Sequence, residues 1–188
     1  MENNGSIKNY YDNIVERTKK EGTFYCYNKD RKHNAAIMAA MFDTSDTIRM
    51  YCGSMSVFRK GFVENIEQQD NEIIETLWEK ITAFAKKANA CLDIIVENYP
   101  QGGFKDIHQQ ELFTNMQEQG IMTLSCLPDG LRFKETIPHF SFSSSCIVRE
   151  EQDKNTHSAL CVINDRDFLN DSQNLFNAIK DLSTSVTL

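Results

Sequence analysis

The chain contains neither G-x-G-x-x-G nor G-x-x-x-x-G-K-[ST], the glycine loops with which two large nucleotide-binding classes cradle phosphates. Nucleotide binding of those two kinds is excluded, and Gly53-Ser54 and Gly102-Gly103 read as isolated turn signals. G-x-S-x-G and H-E-x-x-H are missing too, which removes the serine-hydrolase elbow and the zinc-protease helix. The six cysteines at 26, 52, 91, 126, 146 and 161 form no Cys-x-x-Cys pair and have no histidine at ligand spacing, so no metal site is expected. Most of them sit in or beside apolar, strand-like runs, as small buried hydrophobes do in a reducing compartment. No apolar run approaches the ~18 residues that would span a bilayer. The opening MENNGSIKNYYDN lacks the basic-then-apolar order of a signal peptide. A cytoplasmic protein without a membrane span is expected.

Positive charge is in deficit: 20 lysines and arginines stand against 27 aspartates and glutamates, for a formal net charge of −7. An acidic surface repels a polyanion unless its basic residues gather on one face, so nucleic acid is disfavoured as a partner. Short basic clusters do occur at Lys29, Arg31, Lys32 and His33 and at Arg59 and Lys60, and they read as solvated surface. With 188 residues, 40% of them hydrophobic, the chain is read as one domain over 1–188 with a proper core.

Periodicity supplies the elements. Helical spacing predicts helices over 7–20, 30–42, 57–66 and 71–88, the last carrying Ile73, Ile74, Leu77, Trp78, Ile81 and Phe84 on one stripe. Asp106 followed by Gln109 is a capping-box pattern for a helix running to Gln119, which Gly120 stops. A last helix starts near Asp165, and 183–188 is expected to fray. Strands are predicted at 23–28, 47–52, 91–98 and 121–126, then three in succession within HFSFSS, CIVREE and SALCVIN. In the first of these three, Phe140 and Phe142 point one way and His139, Ser141 and Ser143 the other, a half-buried strand with a polar face. Helices alternating with strands, then strands adjoining, give an α/β domain with a mixed sheet layered between helices.

The succession HFSF, CIVRE, a polar stretch QDKNT, then HSALCVIND-x-x-F and an amphipathic helix resembles the closing half of a phospholipase D-like domain over about 137–182. That superfamily opens one strand with the nucleophilic histidine of H-x-K-x4-D, and the next strand carries a Gly-Ser and an asparagine. The resemblance places His139 at the nucleophile, Ser141 where the lysine would be and Cys146 where the aspartate would be. The Gly-Ser step has no counterpart. Asn155 falls near a phosphate ligand's position, and His157 heads the following strand.

The motif's parts have physical jobs. The histidine attacks phosphorus, the cation neutralises the non-bridging oxygens, and the carboxylate orients the imidazole. Without cation and acid together little rate remains, so the expected function is a catalytically degenerate module. It would act in protein binding or self-association, in a prokaryotic regulatory or defence system by analogy with short relatives. Active members face two halves against each other, which implies a homodimer with its interface near His139, or a protein partner. No cofactor is expected. Ser141, Arg149, Asn155 and His157 are the binding candidates. The alternative is an atypical phosphodiesterase or nuclease, with His139 attacking and Arg149 or Lys154 as the substitute cation. A third reading is an anion- or nucleic-acid-sensing module without turnover, which needs Arg31, Lys32, Arg59 and Lys60 to converge into a basic groove. Arg149 is otherwise read as a surface ion pair with Glu151, and His139 as a polar strand-start residue.

Overall fold

A computed structural model describes residues 6–67, 70–129, 131, 137–153, 156 and 158–188. In chain order the elements are α1 Ile7–Arg17, β1 Phe24–Asn28, α2 Arg31–Thr44, β2 Thr47–Cys52, a 3-10 turn Ser56–Phe58, α3 Lys60–Glu67, α4 Asn71–Phe84, β3 Cys91–Val96, α5 Gln110–Glu118, β4 Met122–Cys126, β5 Phe140–Ser143, β6 Ile147–Asp153, β7 Ser158–Ile163, α6 Arg166–Lys180 and β8 Thr184–Ser185. The strands form one mixed sheet in the order β1-β7-β6-β5-β2-β3-β4-β8. Strands separated by helices, β2, β3 and β4, pair in parallel because a helical crossover returns the chain to the same end. The adjoining strands β5, β6 and β7 pair antiparallel through short connections. The expected layered α/β architecture is what forms.

Two cores result, one on each face. On one, Ile48, Met50, Leu92 and Ile94 meet α2 and α4. All eight residues of α2 from Ala35 to Phe42 are buried, so this helix is covered on every side and its alanines let neighbours approach closely. On the other face Tyr51, Ile95, Phe140 and Phe142 pack under α6, with the Phe142 and Phe176 rings edge to face at 5.7 Å. Asp165 caps α6 by accepting from the Phe168 backbone N–H at 3.0 Å. Among the described residues no helix is long and apolar enough to cross a membrane.

Four expectations are corrected. β5 is buried at all four residues, Ser141 and Ser143 included, and Ser143 Oγ lies 3.0 Å from Ser145 Oγ in the turn that follows. Asp106 does not cap α5, which starts only at Gln110. The backbone around it is already engaged: Lys60 N donates to Asp106 O and His108 N donates to Phe58 O, both at 2.8 Å. Residues 184–188 are held, not frayed, since β8 pairs with β4 and Val186 N donates to Leu124 O at 2.9 Å. Of the six cysteines only Cys161 is fully buried; Cys26, Cys52, Cys126 and Cys146 are half-buried, and Cys91 is exposed.

Candidate functional site

Parallel strands β2 and β3 end side by side at Cys52 and Val96, and antiparallel β5 starts between them and β6. The carboxyl ends of such strands are where α/β sheets build sites, because side chains of the departing loops converge there. Here β2 runs into Gly53 and β3 into Glu97, and His139 reaches in at the head of β5. Gly53 has a specific reason to be glycine. A Cβ at this position would lie 3.1 Å from His139 Cε1, so the side-chain hydrogen makes room for the imidazole.

The ring is gripped at both nitrogens. Nδ1 lies 2.9 Å from Glu151 Oε2 and Nε2 lies 3.3 Å from Glu97 Oε2. The Glu97 side chain is 1% exposed, and its other oxygen accepts from the Tyr51 hydroxyl at 2.5 Å. Burial first, and then that hydrogen bond, raise the Tyr51 phenol above its ordinary range, so it stays a donor. The Tyr51 ring meets the imidazole edge-on at 5.8 Å. Each ring nitrogen thus faces a carboxyl oxygen.

Arg149 is not a surface residue. It sits on β6 directly across from Ser141, is 8% exposed, and its Nη2 lies 3.8 Å from Glu151 Oε1. Burial pulls the guanidinium below its ordinary range, although Glu151 opposes that shift. Ser141 thus stands where the lysine was expected, and a cation arrives beside it from the neighbouring strand. Cys146 plays no part: it lies in the β5–β6 turn at the other end of the strand, with a left-handed φ of 60° and its thiol raised by burial. Glu151 contacts His139 Nδ1 from β6.

His139, Ser141, Arg149 and Glu151 line a cavity of about 530 Å³. Arg31 and Arg59 line it too, so two of the residues read as solvated surface face the site, whereas Lys32 and Lys60 do not line it. Arg59 donates from Nε to Ser54 O at 3.1 Å and approaches Asp106 at 3.6 Å. Asn155, His157 and Lys154 lie outside the described residues. Strands β5 and β7 are separated by β6, so the heads of those two strands are not neighbours. Among the described residues, no group of three or more His, Cys, Asp or Glu side chains could hold a metal ion.

No family model and no curated protein sequence matches the chain, and the likeness to known proteins is one of structure. Nuc of Salmonella typhimurium, a phospholipase D family member, superposes with a TM-score of 0.51 at 8% identity, over 89% of this chain and 99% of that one. The fold is phospholipase D-like. NucT of Helicobacter pylori matches at 0.52 and 9% identity, over 88% of this chain and 100% of its own. TrmBL2, an archaeal chromatin protein with a novel mode of DNA binding, matches at 0.55 and 10% identity over 95% of this chain. The chain spans 61% of the length of TrmBL2.

The sequence pointed to His139 and missed what holds it. Glu97 and Tyr51 come from β3 and β2, far from the stretch that carries the phospholipase D-like pattern. One signal for Glu97 was available: it is the acid that follows the apolar strand CLDIIV at its carboxyl end.

Proposed function

We propose that this phospholipase D-like module is catalytically degenerate and binds where its relatives cut. It acts by self-association or by docking a protein partner, in a prokaryotic regulatory or defence setting. One observation carries the reading: both imidazole nitrogens of His139 face carboxylates. A nucleophilic histidine needs a free lone pair aimed at phosphorus, and Glu97 occupies that direction at 3.3 Å. An approaching phosphate would also meet the charge of Glu97 and Glu151. The use of this fold in a chromatin protein supports a binding role, because fold and chemistry are separable. Protein contact is supported by the surface as well. Tyr25 and Tyr27 are 64% and 68% exposed on β1, an end strand of the sheet among the described residues.

A second reading, hydrolysis at His139, is favoured by Arg149, which supplies a cation opposite Ser141. Assays of the wild-type chain on bis(p-nitrophenyl) phosphate and on single-stranded DNA decide between them. The degenerate reading expects no turnover above the His139→Ala background. Turnover abolished by His139→Ala, with the fold intact by circular dichroism, would establish the hydrolase.

A further inference from the structure

Cys26 on β1 and Cys161 on β7 stand directly across from each other in an antiparallel pair, so their side chains leave the sheet on one face. Among the described residues no other two cysteines are partners across strands. Opposed residues of antiparallel strands have Cα atoms about 4.5 or 5.5 Å apart, and both spacings fall within the span that a disulfide bridges. Both thiols are free. The fold therefore holds the pair within bonding reach in its reduced form.

The two thiols are not equivalent. Cys26 is half-buried on an end strand of the sheet among the described residues, whereas Cys161 belongs to the buried core. A hydrogen bond from the Cys161 thiol outweighs burial and, aided by the Tyr10 hydroxyl of α1, brings Cys26 down to about 7. The same hydrogen bond, together with burial, raises Cys161, which stays a protonated thiol. Arg149 comes next in the row, across from Cys161 on β6, and its charge favours an anion at the pair. An ordinary cysteine is only a few per cent ionised at neutral pH, so Cys26 presents far more thiolate than a cysteine in water. A partly exposed thiolate beside a second thiol able to resolve it is the arrangement that reversible peroxide chemistry needs.

We propose that Cys26 and Cys161 form a peroxide-reactive dithiol, a modification site that closes reversibly to a disulfide. The Cys26 thiolate attacks one oxygen of hydrogen peroxide and the O–O bond breaks. The departing hydroxide takes from solvent the proton that Cys26 had given up and leaves as water, with a sulfenic acid on Cys26. The Cys161 sulfur then attacks the Cys26 sulfur, the S–O bond breaks, and the hydroxyl leaves with the Cys161 proton as a second water. Each sulfur gives up one electron and the peroxide takes up two. The bridge ties the end strand β1 covalently to β7, next to Arg149 of the candidate site. The proposal stands apart from the chemistry of His139.

Treating the reduced full chain with hydrogen peroxide at neutral pH, blocking with iodoacetamide and mapping the unreduced peptides by mass spectrometry tests it. The expected products are a peptide pair linked through Cys26 and Cys161, with two of the six thiols lost, and the return of both thiols with dithiothreitol. Cys26 is expected to be lost at least about five times faster than the exposed Cys91, the internal control. Cys161→Ala is expected to stop the reaction at a sulfenic acid on Cys26, which dimedone labels, and Cys26→Ala to leave Cys161 reduced. Urea unfolding checks the fold of both variants, and the wild-type map decides the matter even where a variant does not fold. A wild type that keeps all six thiols at millimolar peroxide overturns the proposal, as does a linkage between other cysteines or a Cys91 that reacts as fast as Cys26. Dimedone labelling of folded Cys161→Ala no greater than that of Cys26→Ala overturns the role of Cys26 as the attacking thiolate.

Discussion

Tyr51, Glu97, His139, Glu151 and Arg149 form one chain of contacts in which each polar group has a role for the next. Removing the Tyr51 hydroxyl leaves a carboxylate with 1% exposure short of a donor. Tyr51→Phe is therefore expected to cost about 1–3 kcal/mol in urea unfolding, the usual penalty for an unmet buried group. A cost near zero would mean that water replaces the phenol. Beside it, burial pushes the Cys52 thiol up to about 11, while in the unfolded chain it ionises near ~8.5. The fold favours the neutral thiol, so this contribution to stability is complete below the unfolded value and fades as pH rises through about 11. Cys52→Ala is expected to flatten part of the wild-type loss of Tm between about pH 8.5 and 11, read by thermal melts across that window. Parallel melting curves for the two proteins would contradict it. Glu151 reads in the sequence as the surface ion-pair partner of Arg149. Its grip on the imidazole depends on cross-strand register, and periodicity alone does not fix which strand lies beside which.

Elements were the most legible part of the chain, and the exceptions share a cause. The apolar stripe of α4, the continuous run of β3 and the Phe140/Phe142 alternation of β5 each announce a buried surface, and burial is what periodicity encodes. The late start of α5 and the docked β8 are decided elsewhere. An isolated bridge between Arg59 and Ile107 claims the backbone before α5, and the free edge of β4 recruits the C-terminal strand. Such long-range hydrogen bonds leave no local pattern. The last helix, expected to start near Asp165, is α6 from Arg166, and Asp165 caps it. Asp165→Ala should cost about 1 kcal/mol through the lost cap. Phe176→Ala should cost about 3–5 kcal/mol, because its ring fills the layer above Phe142. Denaturant titration of both variants checks the order. An Asp165 effect larger than that of Phe176 would place the helix's stability at its end and not on its buried face.

At the scale of the whole molecule the phospholipase D-like fold brings Glu151 of β6 and Glu97 beyond β3 against His139, with Arg149 of β6 beside Glu151, and the proposed function takes Glu97 to close the direction an attack on phosphorus would need. Self-association predicts that light scattering of the purified chain at micromolar concentration returns twice 21.6 kDa. A strict monomer that also finds no protein partner would remove that part of the account. The central claim, that His139 is clamped and does not attack phosphorus, has a direct chemical test. A hydrolase of this fold would form a bond from His139 Nε2 to phosphorus and expel the alcohol, leaving a phosphohistidine that alkaline quenching preserves. Intact-mass and peptide mass spectrometry of the wild-type chain, quenched at alkaline pH during incubation with a phosphodiester, should find His139 unmodified at every time point. A phosphoryl adduct on His139 that forms as the first alcohol is released, and is absent from denatured protein, would contradict it.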